Sequence, residues 1–489
     1  MSTPLHPAPA ASPSPAEPKP AGDAGFDLRA YRGLTIAATC GTIAYAAVMG
    51  NFLALFADKL GFSPMLIGLL FLAVQAPALL QVFMAGYIDR HGGKGIITPM
   101  FFVSALTLLP MIFAPQISNG LGPTAAVIAV FLAAIGYCLS NVPLGAAWYP
   151  LLRANLPDNR ITGLIGRMNI VIQGVALVVM VLCGFFLGEE APVWRYQVIF
   201  LMGALLAALR GVGFRPVKDM ETTPALKPGP LWHELKLLWR DEPYRRVILF
   251  SLLTWTGIGL CVCFRPLYIT AVGFSPRFAA LLTVPLVMGA YGAAAQTWGV
   301  LTDRYGSRGA YALAGIGVVS AQLLMALPTT NSCAAGIIFA VALALGAAAW
   351  GGFDAANMRR LFTIVPQQRQ SLYLAVYIIV VNVGISVGAF LGGVVIKVMR
   401  AQLPEAPGAV GFAHALDYRV LFLLAAVAVM LSTVYSRRML AMKEMGAGRL
   451  LLYLRIRTQR FIMNGVAGDV RRWVFPEPER EGESPDEPK

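Results

Sequence analysis

The sequence predicts an all-α integral membrane protein in which twelve transmembrane helices form two six-helix bundles. Three observations support this prediction: the composition, the number of long apolar runs, and a sequence pattern that occurs twice. Of the 489 residues, 57% are hydrophobic and only 13% are charged, and the mean hydropathy is +0.66. A soluble domain carries about 25% charged residues, so lipid must be the solvent for much of this chain.

Twelve apolar runs are long enough to cross a hydrocarbon core, which takes roughly 20 helical residues. They are predicted at 34–56, 64–88, 96–114, 123–149, 163–187, 194–213, 247–270, 277–301, 309–328, 334–357, 371–396 and 418–436. The chain then divides into a disordered Pro- and Ala-rich tail (1–28), an N-terminal bundle (29–213), a cytoplasmic linker with an amphipathic segment (214–246), a C-terminal bundle (247–438) and a cytoplasmic basic amphipathic tail (439–489).

The repeated pattern groups these runs into two halves. Gly61-Phe-Ser-Pro opens the second run, which ends in Asp89-Arg90-His-Gly92-Gly-Lys94. Gly273-Phe-Ser-Pro opens the eighth run, which ends in Asp303-Arg304-Tyr-Gly306-Ser-Arg308. A duplicated set of spans is typical of secondary transporters, which bind their solute between the two repeats. The pattern therefore predicts a six-plus-six duplication.

The basic residues predict the orientation. With both termini inside, the cytoplasmic loops hold 18 basic residues, Arg210 included, and the opposite loops hold 6. This bias predicts a multi-pass protein of the cell membrane, of the bacterial inner membrane type, with cytoplasmic termini. The net charge of +14 is spread over short loops and one tail. We therefore expect contact with anionic membrane lipids and no binding of nucleic acid, and we expect a monomer.

Metal and cofactor sites are not expected. The six cysteines fall mostly inside apolar runs, and Cys261-x-Cys263 has no nearby ligand partners. The chain has no phosphate-binding Gly-rich loop followed by Lys-Ser or Lys-Thr, and no cluster of His, Asp or Glu near one membrane face. These observations argue against an enzyme.

The two Asp-Arg turns are candidates for gating. Gly92 and Gly306 allow the chain to reverse within a few residues. An acidic residue there can cap a helix N-terminus or pair with a basic residue of another span. Such a contact exists only while that face is closed, so it can favour one conformation; the alternative is a solvated turn. The predicted gating residues are Asp89, Arg90, Gly92, Lys94, Arg153, Asp303, Arg304, Gly306 and Arg308.

At these turns the chain resembles the major facilitator superfamily, whose motif is G-x-L-x-D-R-x-G-R-(R/K) between helices two and three. The copy from Gly299 to Arg308 matches this motif better than the first copy, which has Ala85, Tyr87 and Gly93 at motif positions. The resemblance covers about residues 30–440. It implies alternating access around a central cavity lined chiefly by spans one, four, seven and ten.

Two ionisable residues lie inside the predicted C-terminal spans. Arg265 follows two glycines and precedes Pro266, so the helix can break there and turn the cation toward an anionic solute. The alternative is that the span ends at Arg265 and its side chain snorkels to the interface. Asp354 either pairs with nearby Arg359 or Asn357, or it exchanges a proton and couples transport to a proton gradient.

Neutral polar and aromatic residues on the expected cavity faces complete the candidate site. Such residues also serve as hydrogen-bonding contacts between helices. With Arg265, the predicted substrate-binding residues are Tyr45, Asn51, Asn141, Gln173, Trp255 and Asn382. The sequence thus predicts secondary active or facilitative transport of a small solute by alternating access, with an organic anion suggested by Arg265. Export of amphipathic or drug-like compounds, and a non-transporting receptor or assembly factor on the same scaffold, are the alternatives.

Overall fold

The computed structural model describes residues 27–156, 161–220, 236, 238–365, 370–402 and 412–439. The N-terminal tail, most of the linker with its amphipathic segment, and the basic C-terminal tail lie outside these residues. The described part is helical and contains no strand. Counted with their internal breaks, twelve of its helices are long and apolar enough to cross a membrane. The predicted fold class is confirmed.

We number the twelve spanning helices α1 to α12. The first six are α1 (Leu28–Val48 and Asn51–Lys59), α2 (Pro64–Gln75, a 3-10 turn Ala76–Leu80, and Gln81–His91), α3 (Lys94–Thr107 and Leu109–Ile112), α4 (Pro123–Asn155), α5 (Ile161–Leu187) and α6 (Val193–Gly213). A short helix, Ala114–Leu121, joins α3 to α4.

The second six follow the linker. They are α7 (Glu242–Val262 and Arg265–Ala271), α8 (Pro276–Leu281, a π-helical turn Leu282–Leu286, and Val287–Tyr305), α9 (Ser307–Met325), α10 (Cys333–Ile364), α11 (Gln370–Gln402) and α12 (Phe412–Met439). Both α1 and α7 are interrupted at an equivalent position, close to their C-terminal ends. Each is followed directly by the next span, α2 or α8.

The repeated Gly-Phe-Ser-Pro sequence builds the same turn in both halves. Gly61 and Gly273 adopt positive φ angles of 80° and 104°, a conformation that glycine reaches without strain. The side chains of Ser63 and Ser275 then cap α2 and α8 by accepting a backbone hydrogen bond in the first turn, each at 3.3 Å. Proline follows at the first helical position, where its missing N–H costs nothing. The pattern therefore starts equivalent helices.

The helix contacts repeat with an offset of six. In the N-terminal bundle α1 packs on α5 and α6, and α3 packs on α4 and α6. In the C-terminal bundle α7 packs on α11 and α12, and α9 packs on α10 and α12. Between the bundles α2 packs on α11, and α5 packs on α8. The six-plus-six duplication is thus present in the packing as well as in the sequence.

The two sides of the bundle pair differ in how their cores are built. We call the side where α6 ends and α7 begins the linker side, and the opposite one the far side. On the far side one apolar cluster runs through both bundles and contains Phe52 and Phe56 of α1 with Phe264 and Leu267 of α7. On the linker side each bundle has a separate cluster. The bundles therefore meet on the far side and separate toward the linker side.

The linker begins as a strap across the linker side of the N-terminal bundle. The carboxylate of Asp219 accepts hydrogen bonds from the backbone N–H groups of Gly93 (2.9 Å) and Lys94 (3.1 Å), and so caps α3. Asn155, at the end of α4, exchanges two hydrogen bonds with the backbone of Lys218, at 2.8 and 2.9 Å. Three connections of this bundle are thereby tied together without help from the C-terminal bundle.

Candidate functional site

A cavity of about 710 Å³ lies between the two bundles. Its wall comes from α1, α4, α5 and α6 on one side and from α8 and α10 on the other. None of the far-side residues of α1, from Phe52 to Lys59, lines it. The cavity therefore lies at mid-depth and toward the linker side, below the shared far-side core. Its size falls within the range of about 300–1,000 Å³ that is usual for small-molecule sites.

Arg210 of α6 is the one cation among the described residues that line this cavity. Its side chain is only 6% exposed, and one guanidinium N–H group donates to the side-chain oxygen of Asn141 at 2.6 Å. The guanidinium also lies 4.5 Å from the ring centroid of Phe101. Its Nε atom is enclosed without a hydrogen-bond partner. No described acidic residue pairs with Arg210, so its charge is compensated only by an amide and an aromatic ring.

Gly41 and Asn141 hold Arg210 in place. A Cβ atom at Gly41 would lie 2.6 Å from the guanidinium carbon, so α1 leaves space for the side chain only because it has glycine there. Asn141 is itself fixed, since its amide also donates to the Tyr137 carbonyl at 2.8 Å. The oxygen of Asn141 therefore points at Arg210.

Arg210 lies inside the sixth predicted span (194–213) but is also counted above among the basic residues of the cytoplasmic loops, and that count is wrong for this residue. The residue lies in the last turn of α6 and its side chain reaches into the bundle. Hydropathy locates a span but does not show where its side chains point. Long basic side chains near the end of a span usually extend outward to water. The glycine at position 41 permits the close approach of Arg210, but a glycine in a sequence does not identify the side chain that packs against it. Without Arg210 the loop count is still 17 basic residues against 6.

Asp354 of α10 faces the cavity from the other bundle. The Tyr291 hydroxyl of α8 donates to its Oδ2 atom at 2.9 Å. The pairing with Arg359 that the sequence left open is not formed. Arg359 instead donates to the carbonyl of Thr302, and Asn357 accepts a hydrogen bond from Tyr311. Among the described side chains, Asp354 has no ion-pair partner.

Aromatic rings form the wall around Asp354. The ring of Trp350 lies edge to face with that of Tyr291, with centroids 6.2 Å apart, and both rings line the cavity. Trp255 of α7 lies behind them, with its ring centroid 5.1 Å from that of Trp350, and is 4% exposed. On the N-terminal side Tyr45 and Trp148 add two further rings. The cavity thus combines two opposite charges with an aromatic lining.

The predicted substrate-binding residues fall into three groups. Tyr45, Asn51 and Gln173 line the cavity. Asn141 and Trp255 lie one layer behind, where they contact the cavity residues Arg210 and Trp350. Arg265 and Asn382 do not line it. Trp148, Asn169, Tyr291 and Trp350 line the cavity and were absent from the predicted set.

Asn51 and Arg265 occupy matching places in the two bundles, at the start of the second segments of α1 and α7. The predicted break in α7 is therefore present. Asn51 reaches across the bundles and donates to the Thr283 carbonyl of α8 at 2.9 Å. Arg265 stays within its own helix, 4.0 Å from the sulfur of Cys261, and its Nε atom has no partner. Its side chain therefore does not contribute a charge to the cavity wall.

The two Asp-Arg turns lie at the linker side. Gly92 and Gly306 end α2 and α8 with φ angles of 80° and 87°, as a tight reversal requires. Lys94 begins α3, and its ammonium group donates to the Arg215 carbonyl in the linker strap at 2.7 Å. Asp89, Arg90, Arg153, Asp303 and Arg304 belong to helices, but their side chains lie outside the described part of the structure. Arg308 lies in the first turn of α9 and is exposed.

Known proteins resemble the chain in sequence pattern and in fold. A sequence model of the Major Facilitator Superfamily matches residues 34–332, which is more than half of the chain. Comparison with curated proteins gives no match.

Three solved structures have a similar fold. The nucleoside transporter NupG is 13% identical with a TM-score of 0.63, and the match covers 85% of this chain and 100% of that one. A bacterial homologue of the human lysosomal transporter Spinster, in an inward-facing, occupied conformation, is 13% identical with a TM-score of 0.64 and coverages of 84% and 96%. A bacterial homologue of the iron transporter ferroportin, in an inward-facing state, is 15% identical with a TM-score of 0.64 and coverages of 84% and 98%. At these identities the likeness establishes a shared fold alone.

Proposed function

The chain belongs to the major facilitator superfamily, and from this membership we propose that it carries a small organic anion across the membrane by alternating access, with Arg210 binding the acidic group. Family and fold support transport of a small solute as the general activity. The anionic solute, the binding role of Arg210 and the alternating-access cycle are what we propose beyond this general activity. The observation that carries it is a buried guanidinium in the cavity wall without a described acidic partner.

A buried charge is costly unless it is paired, because the protein interior solvates it poorly. Asn141 and Phe101 reduce that cost but leave the net charge in place. A carboxylate or phosphate that enters the cavity would supply the missing charge, and a guanidinium binds either group with two parallel hydrogen bonds. The sequence predicts the same substrate class from Arg265. We now assign the role to Arg210, since Arg265 lies away from the cavity.

The separated linker side and the shared far-side core correspond to one state of an alternating-access cycle. We take the linker side as cytoplasmic, because its loops hold 17 basic residues and the loops of the opposite side hold 6. The protein is then in an inward-open state. Closure of the linker side would bring the two Asp-Arg turns toward the opposite bundle, which is the gating role that the sequence predicts for Asp89 and Asp303.

Export of amphipathic compounds is the second candidate. The aromatic lining formed by Tyr45, Trp148, Tyr291 and Trp350 favours it, since such rings bind flat apolar molecules with little demand on polar groups. The two candidates differ in their dependence on Arg210. Proton coupling through Asp354 also stays a prediction.

The test is a panel of organic acids, amines and neutral amphipathic compounds, measured for thermal stabilisation of the purified full-length protein. A ligand that binds only the native state raises the melting temperature with its occupancy. We expect stabilisation by acids, and loss of it in Arg210→Gln with partial retention in Arg210→Lys. Arg195→Gln is the matched control, because Arg195 lies on the same helix and outside the cavity.

Stabilisation by neutral amphipathic compounds that survives Arg210→Gln would reject the anion proposal and favour the second candidate. Uptake of the stabilising compound into proteoliposomes then separates a carrier from a receptor. A receptor would show the same stabilisation without any flux.

A further inference from the structure

We propose that the transported solute is a zwitterion, with its acidic group on Arg210 and its cationic group on Asp354. The inference rests on the proposed function, because it keeps the acidic group where that function requires it. It adds a second charge to the solute and a second binding residue to the cavity. Two features of the structure carry it: the placement of the two charges and the lack of other ions in the cavity wall.

The first feature is that the two charges stand on different bundles. Arg210 belongs to α6 of the N-terminal bundle and Asp354 to α10 of the C-terminal bundle, and both line the same cavity. Their positions are not related by the duplication, which pairs α6 with α12 and α4 with α10. Each bundle thus contributes one charge of opposite sign to a shared site.

The second feature is that no other ionised side chain among the described cavity residues pairs with either charge. Among the described residues that line the cavity, Arg210 is the only cation and Asp354 the only anion. Tyr291 donates a hydrogen bond to the Oδ2 atom of Asp354, and no described basic side chain forms an ion pair with this carboxylate. A hydroxyl donor lowers the cost of a buried carboxylate but does not cancel its charge.

The charge balance separates the solute classes. A neutral solute leaves both charges unpaired, and a solute with one acidic group pairs with Arg210 but leaves the carboxylate of Asp354 without a cation. A zwitterion compensates both residues. It also links the two bundles through one molecule, so its binding energy favours the conformation in which the bundles approach each other. The aromatic rings that line the same cavity would hold an apolar body.

The competing role for Asp354 is proton exchange, in which protonation cancels its charge and the solute needs only an acidic group. The two roles predict different ligand preferences. We therefore compare sets of three compounds with one aromatic body: tryptophan, indole-3-propionate, which lacks the amine, and tryptophanamide, which lacks the acid. A dipeptide set, phenylalanyl-phenylalanine with its deaminated acid and its amide, covers larger solutes.

Affinities are measured from thermal stabilisation of the full-length protein over a range of ligand concentrations. We expect the zwitterion of at least one set to bind more tightly than its acid and its amide. Asp354→Asn should weaken the zwitterion about 10- to 100-fold, the usual effect of losing one charged hydrogen-bond partner, and leave the acid unchanged. Arg210→Gln should weaken both compounds. Asp354→Glu keeps the charge and should retain the preference, which guards against a folding defect.

Asp27→Asn is the matched control, since Asp27 caps α1 outside the cavity and asparagine caps a helix equally well. The zwitterion proposal is overturned if no zwitterion binds better than its acid, or if Asp354→Asn leaves zwitterion affinity unchanged. In that case, acid binding that still depends on Arg210 preserves the proposed function. Binding of every compound without dependence on Arg210 rejects both.

Discussion

The far side and the linker side of this protein hold the two bundles in different ways. On the far side the bundles share one apolar core, and helix backbones come into direct contact. A Cβ atom on Gly68 of α2 would lie 2.5 Å from the Ala389 carbonyl of α11, and one on Gly393 of α11 would lie 2.6 Å from the Pro64 carbonyl. On the linker side the cores are separate and the 710 Å³ cavity lies between them.

The difference shows which interactions keep each side in its state. Small residues let membrane helices approach closely, so the far side is closed mainly by van der Waals packing. The linker side of the N-terminal bundle is held by hydrogen bonds within that bundle, through the strap that ends at Asp219. A carrier must exchange these states, and packing that depends on a few glycines can be released without breaking a bundle apart.

The largest expected effect comes from removing the close approach of α2 and α11. Gly68→Ala places a methyl group against a backbone carbonyl that cannot move alone, and overpacking of this kind costs about 1–3 kcal/mol. We expect lower thermal stability and an opening of the far side. The opening is measured in a Cys333→Ser, Gln173→Cys background, because Cys333 is free and exposed at the far-side end of α10. A membrane-impermeant thiol reagent added from the far side should now label the cavity.

Gly174→Ala is the matched control for this prediction. A Cβ atom at Gly174 would meet nothing within 4 Å, although the residue also lies on a spanning helix. The packing account of the far side fails if both alanine variants behave alike.

A smaller effect is expected at the linker side, from Asp219→Ala. The variant loses the acceptor for the backbone N–H groups of Gly93 and Lys94. Loss of a helix cap costs about 1 kcal/mol, and we expect this as a lower midpoint of thermal unfolding. Asp219→Asn should keep most of the stability because asparagine also caps helices. Equal losses in the two variants would mean that the charge, and not the cap, holds the strap.

The smallest effect is expected from Asn51→Ala, which removes one hydrogen bond between the bundles on the cavity side of the far-side core. Such bonds contribute about 0.6 kcal/mol on average in membrane proteins, which corresponds to roughly a threefold change in an equilibrium. The rate of far-side labelling at Gln173→Cys should rise by about that factor. An unchanged labelling rate with weaker solute binding would instead support the solute contact that the sequence predicts for Asn51.

Much of the fold could be predicted from the sequence because its determinants are local. Apolar length sets which segments cross the membrane, and Gly-Phe-Ser-Pro contains the glycine, the cap and the proline that start α2 and α8. The break in α7 before Arg265 could also be predicted, since glycine and proline act within one turn. The candidate site could be predicted only in part. Tyr45, Asn51, Gln173 and Asp354 line the cavity, whereas Arg265 lies on the packed far side.

The sequence by itself determined that this chain is a duplicated set of twelve membrane-spanning helices, because hydrophobic length and turn chemistry act over neighbouring residues. Only the tertiary structure decided which charge faces the cavity. Arg210 and Arg265 are both arginines near a helix terminus, and their surroundings differ through residues far away in the chain. Gly41 and Asn141 leave space and an acceptor for Arg210, more than 60 residues before it. That arrangement depends on how α1, α4 and α6 pack, which no local pattern contains.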